Sequence, residues 1–220
     1  MRKPTVLAAA LTAVAALTLS ACGSGAGAES KDTPLISTDA TAPAVRRVLD
    51  QPFTKPDLVL TDTHGKAFDL RKETKGRLTY LYFGYTHCPD ACPLTMSNLG
   101  LAYKDLPKAD QDKVRVVFVT TDPERDTPKE LGKWLPSAGH ADFIGLSGDF
   151  ATVQAAARSV AVGMEPATKD AKGKVTATHG KTVLAFSPKD DKGHVLYHGG
   201  EATAEDYAKD LPKLLKGQRP

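Results

Sequence analysis

The segment that most constrains the fold is LTYLYFGYTHCPDACPLTM, Leu78 to Met96. Its first eight residues are leucine, aromatic or β-branched apart from Gly84. A strand with one wet face alternates apolar and polar residues, whereas a continuous run needs cover on both faces. The run therefore predicts a buried central strand. Pro93 is tolerated in a first helical turn, and Cys92, Met96, Leu99, Tyr103 and Leu106 recur at helical spacing. A helix is expected from near Cys88 or Pro89 to Leu106, placing both cysteines at a strand-to-helix junction.

VRVVFVT, Val114 to Thr120, predicts a second strong strand. It is followed by TDPERDTPKE, in which Thr127-Pro128-Lys129-Glu130 has the form of a capping box for a helix to about Pro136. Asp57 to Leu60 and Lys66 to Leu70 read as short strands around a turn, and Asp142 to Leu146 as another. Asp149 to Val162 reads as an amphipathic helix, and Lys169 to Gly173 as a charged turn. Thr182 to Phe186 and His194 to Tyr197 flank the polar PKDDKG turn as a hairpin, and a last helix starts at Thr203 or Ala204. The expected class is α/β, a mixed central sheet with helices on both faces.

The beginning of the chain, MRKPTVLAAALTAVAALTLSAC, has a basic start, a short apolar run and a small-residue ending. That pattern is a secretory signal segment. Leu19-Ser20-Ala21-Cys22 resembles a bacterial lipobox, which implies a lipid on Cys22; the alternatives are a retained anchor or an ordinary signal. Gly23 to about Thr54 is rich in small and polar residues and reads as a tether. The expected organisation is a signal at 1–21, lipid attachment and tether at 22–54, and one domain at 55–220. Loss of Arg2 and Lys3 with the signal lowers the formal charge from +3 to +1. No basic field then remains for nucleic acid.

With Cys22 assigned to lipid, two of the three cysteines are left, Cys88 and Cys92, on the oxidising side of a membrane. They admit a structural disulfide, thiol exchange or soft-metal binding. A disulfide here closes a very short loop and gives little entropic stabilisation. A helix N-terminus favours thiolate, which is expected to lower the thiol pKa values. Two close thiolates suit copper or zinc, but structural zinc needs about four protein ligands. Of the six histidines, His87 is expected to point away, and His64 and His140 to face solvent in loops. His194 and His198 read as strand-end imidazoles without an evident acidic neighbour. His179, just before a buried-looking strand, is only slightly favoured by position. Met96 and Met164 read as apolar filling rather than ligands.

YFGYTHCPDACPLTM, VVFVTTDPERDTP and THGKTVLAF, in that order, resemble the Sco/SenC family of copper proteins over most of Lys55 to Leu215. The resemblance implies a thioredoxin-like fold with a hairpin insertion. It also implies that Cys88, Cys92 and His179 bind one copper per domain, as Cu(I) or Cu(II). By the same resemblance the protein sits at the extracytoplasmic face of the bacterial cell membrane. There it receives copper from an upstream donor and loads the binuclear copper centre of cytochrome c oxidase subunit II, or reduces that centre's cysteines. Asp90 and Asp122 are expected near the site, Asp90 as a polar neighbour or helix start and Asp122 framing its surface. Many relatives have an acidic residue where this chain has Thr178, which removes one candidate for orienting His179. Besides metallochaperone and thiol-disulfide reductase, the third possibility is single-cysteine peroxide reduction, which leaves the second cysteine and the histidine without a task.

Overall fold

The computed structural model describes residues 45–171, 173 and 175–220. The signal segment, Cys22 and most of the expected tether lie outside the described residues. The strands are β1 (Arg46–Thr54), β2 (Val59–Asp62), β3 (Ala67–Asp69), β4 (Leu78–Gly84), β5 (Val114–Thr120), β6 (Ile144–Ser147), β7 (Met164–Lys169), β8 (Val175–His179), β9 (Thr182–Phe186) and β10 (Lys192–His198). The helices are α1 (Leu70–Glu73), α2 (Ala91–Lys104), α3 (Lys108–Gln111), α4 (Pro128–Ala138), α5 (Phe150–Ser159) and α6 (Ala204–Leu214).

Eight strands form one sheet in the order β1-β10-β9-β4-β5-β6-β2-β3. β4 runs parallel to β5 and antiparallel to β9, so the sheet is mixed, as expected. Every residue of β4 is buried. Leu78, Tyr80 and Tyr82 enter a core with Met96, Leu99 and Tyr103 of α2, Leu131 and Leu135 of α4, and Tyr207 and Leu211 of α6. Leu81 and Phe83 enter a second core with Val153, Ala156 and Ala157 of α5 and Leu58, Leu60 and Leu70. Cover on both faces explains the continuous apolar run. Each such side chain removed from water contributes about 1.5–3 kcal/mol.

Three expectations need correction. Arg46–Thr54 is a strand paired antiparallel with β10, so the fold begins inside the segment read as tether. Its pattern is mostly exposed, contains Pro52 and carries a register shift between Val48 and Phe53, features of an edge strand without clean alternation. Lys169, expected to open a charged turn, instead ends β7, and β7 and β8, neither anticipated individually, make a separate two-stranded sheet. The capping box expected at Thr127 is half made: Thr127 accepts the Glu130 N–H at 3.3 Å, but the Glu130 carboxylate turns to Lys133 at 2.8 Å. A complete box caps α6 instead, between Thr203 and Asp206.

Candidate metal centre

The centre lies where β4 ends and α2 begins. Cys92 is in the first turn of α2, but Cys88 precedes the helix, whose N-cap is Asp90. The helix thus starts later than the expected start near Cys88 or Pro89, and the two thiols do not meet as i, i+4 neighbours on one helix face. A turn carries Cys88 back over the helix start, where the Cys92 N–H points at the Cys88 sulfur at 3.4 Å. Both cysteines are free thiols, Cys88 at 8% exposure and Cys92 at 0%. Gly84 makes room for Cys92: a Cβ there would lie 2.9 Å from the Cys92 sulfur.

His179 arrives from the other side of the sheet's end. The antiparallel register sets Tyr82 opposite Val183, so the chain just before β9 crosses beyond the last residues of β4. His179 Nε2 lies 3.3 Å from the Cys92 sulfur. Its Nδ1 is 3.0 Å from the Gly180 carbonyl, which can only accept, so Nδ1 carries the proton and Nε2 presents its lone pair. Tyr82 and Tyr85 meet the imidazole edge-on, with ring centroids 5.9 and 5.5 Å away. Burial lowers the His179 pKa and favours the neutral ring that a metal requires. The Gly180 carbonyl thus does the orienting for which Thr178 lacks a carboxylate.

The donor atoms of Cys88, Cys92 and His179 all lie within 4.8 Å of one another. An ion with bonds of about 2.0–2.3 Å to sulfur and imidazole separates three trigonal ligands by roughly 3.5–4 Å. Two sulfurs and one neutral imidazole fit copper better than hard cations. The expected lowering of thiol pKa does not hold for Cys92. Burial outweighs the helix N-terminus and pushes that thiol up to about 12. Metal binding there must therefore displace a proton.

Asp90 caps α2 through the Ala91 N–H, with its carboxylate 3.8 Å from the Cys88 sulfur. Asp122 is buried and paired with Arg125, and it is not among the three donors. The residue that the sequence reading missed is Asp126, read there as part of a charged loop. It is fully buried and accepts from the Thr86 N–H at 2.8 Å, the Thr86 hydroxyl at 2.6 Å and the Thr120 hydroxyl at 2.7 Å. It ties the cysteine loop to the end of β5. Tyr82 was also missed as a site residue, because it is indistinguishable in sequence from its strand neighbours.

The remaining histidines are elsewhere engaged. His87 is exposed beside Thr86 and Asp126. His64 sits in the exposed turn after Asp62. His140 departs from the solvent-facing expectation by packing on Tyr103 at 4.9 Å. His194 and His198 do have acidic neighbours, Asp190 at 2.8 Å and Glu201 at 3.2 Å. Met96 and Met164 are buried in the cores.

The SCO1/SenC sequence profile matches residues 47–216. The chain belongs to the SCO1/SenC family. A Stutzerimonas stutzeri protein named for copper binding is 31% identical over 165 residues, covering 74% of this chain and 78% of its own. Bradyrhizobium japonicum ScoI with copper bound superimposes with a TM-score of 0.61 at 31% identity, covering 74% of this chain and 98% of that one. Apo Sco1 from Thermus thermophilus gives 0.66 at 30% identity, covering 76% and 95%. These SCO1/SenC structures confirm the thioredoxin-like fold. BsSco, which shares the fold with a TM-score of 0.59 at 23% identity, covering 77% of this chain and 98% of that one, is a member of the Sco family of cytochrome c oxidase assembly proteins.

Proposed function

We propose that this SCO1/SenC protein is a copper chaperone holding one copper through Cys88, Cys92 and His179. It takes copper from an upstream donor and delivers it to the binuclear centre of cytochrome c oxidase subunit II. The observation that carries this reading is the convergence of two thiols and a neutral imidazole within 4.8 Å. The two sulfurs suffice for Cu(I), and the imidazole adds the ligand that Cu(II) favours. Delivery proceeds by exchange of protein ligands for those of the client, starting at the less enclosed Cys88. The lipid on Cys22 and the tether place this exchange at the extracytoplasmic face of the bacterial membrane. Among the described residues no helix is long and apolar enough to cross a membrane.

A second reading is favoured by the inequality of the thiols, Cys88 at 8% and Cys92 at 0% exposure. In a reductase, the Cys88 thiolate attacks a client disulfide and releases one client thiol. Cys92 then displaces the second, leaving a Cys88–Cys92 disulfide and a client dithiol. Anaerobic loading of the reduced domain, with bound metal counted, tests the first reading. One copper per domain is expected for the wild type, whether loaded as Cu(I) or as Cu(II); His179→Ala should keep Cu(I) and lose Cu(II). Failure of the dithiol to bind copper overturns it. With oxidised apo subunit II, thiol gain without copper movement selects the reductase.

A further inference from the structure

The hydroxyl of Tyr82 has a single hydrogen to give, and its side chain is fully buried. It donates to the Cys92 sulfur at 3.5 Å. The Thr95 hydroxyl, the other polar group close by, already donates to the Ala91 carbonyl at 2.7 Å, so towards the phenol it can only accept. The ring is fixed in place: Phe118 lies 6.0 Å away, the His179 imidazole meets it edge-on at 5.9 Å, and Gly199 leaves it space, since a Cβ there would be 3.3 Å from Tyr82 Cε2. The Cys88 sulfur has a different partner, the Cys92 backbone N–H at 3.4 Å. The two sulfurs thus have unlike surroundings: Cys92 receives the buried Tyr82 hydroxyl and the Tyr85 backbone N–H, whereas Cys88 receives the Cys92 backbone N–H and lies against the Tyr85 hydroxyl.

We propose that Tyr82 is a positioning residue whose hydroxyl hydrogen-bonds the Cys92 thiolate and biases the site towards Cu(I). This rests on the copper reading above. A thiolate sulfur acting as a ligand is a stronger acceptor than the neutral Thr95 oxygen, so the phenol hydrogen stays on the sulfur it already faces at 3.5 Å. A hydrogen bond withdraws electron density from the thiolate and weakens its donation to metal. Cu(II) depends more on that donation than Cu(I), so the bond favours the reduced ion. The same effect lowers the energy of the sulfur donor orbital and moves the thiolate-to-Cu(II) absorption to shorter wavelength.

The test measures Cu(I) and Cu(II) affinities, copper stoichiometry and the thiolate-to-Cu(II) band in the wild type, in Tyr82→Phe and in a protein with 3,5-difluorotyrosine at position 82. Removing the hydroxyl should lower the Cu(I)-over-Cu(II) affinity ratio about tenfold, which for a one-electron couple is about 59 mV, and shift the band to longer wavelength. The difluorinated ring is the stronger donor and should move both readouts the opposite way. Full copper stoichiometry with an unchanged ratio and band in both variants overturns the role of Tyr82 and leaves the copper reading standing. Changes of the same sign in both variants also overturn it, because they report altered packing. Absence of copper from the wild type overturns the copper reading and this inference together.

Discussion

The two halves of the metal centre are built by different means. Cys88 and Cys92 stand on the β4–α2 junction, inside the larger core and clamped to β5 by Asp126. His179 ends a two-stranded sheet that pairs with no strand of the main sheet, and most of β7 and β8 is exposed. That hairpin is held at its base by the Gly180 N–H to the Gly163 carbonyl at 2.7 Å, by Gln154 Nε2 to the Met164 carbonyl at 3.0 Å, and by buried Ala177. On the proposed copper reading, the firmly held half supplies the two sulfurs and the more exposed hairpin supplies the imidazole that Cu(II) favours.

The largest effect should come from the rigid half. Cys92→Ser is expected to weaken Cu(I) binding by well over the roughly 100-fold cost of losing an outer partner, as read by competition with a chromophoric Cu(I) chelator. Retained affinity would break the comparison at once. Next, Asp126→Ala removes three hydrogen bonds from the cysteine loop and should lower apo stability by about 2–4 kcal/mol in urea unfolding, because buried donors left unpaired cost roughly 1–3 kcal/mol each. An unchanged midpoint would show that the loop does not need its clamp.

Ala177→Glu addresses the other half by placing a charge where the hairpin meets the core. Cu(II) affinity is expected to fall roughly 10–100-fold, the range for a misplaced ligand support, with Cu(I) affinity nearly kept. Equal loss of both ions would show that the halves act as one unit.

The smallest effects are in pH dependence of the apo domain. His179 is lowered from 6.5 by burial, so the unfolded chain takes up the proton first. Its contribution is complete above about 6.5 and is lost as pH falls through the lower folded value. Cys92 is raised to about 12, so its contribution is complete below about 8.5 and declines as pH rises towards 12. Urea midpoints across pH 5 to 10 (~5-unit span) should show both limbs. His179→Ala should flatten the acid limb alone and Cys92→Ser the alkaline limb alone.

Much of this was legible where neighbours in sequence decide the outcome. β5 matches Val114–Thr120, and β4 and β9 begin where their apolar runs begin. The pair at Cys88 and Cys92 sits at the junction its flanking patterns foretold. Legibility failed where a residue's environment comes from afar. Lys55, at 1% exposure, was the expected first residue of the domain, yet it is buried against Asp191, Thr74 and the Phe186 ring. Asp126 looked like one charge in a solvated turn until Thr86 and Thr120 closed on it.

The sequence by itself determined a buried strand leading into a helix with two thiols at the junction, because side-chain periodicity, proline placement and capping act over a few residues. Position favoured His179 only slightly and the family resemblance pointed to it, but tertiary structure alone decided which of its nitrogens faces the sulfurs and that burial rather than the helix field governs the Cys92 proton. The reason is register: pairing Tyr82 with Val183 brings His179 to 3.3 Å from a sulfur 87 residues away. No local pattern encodes that distance.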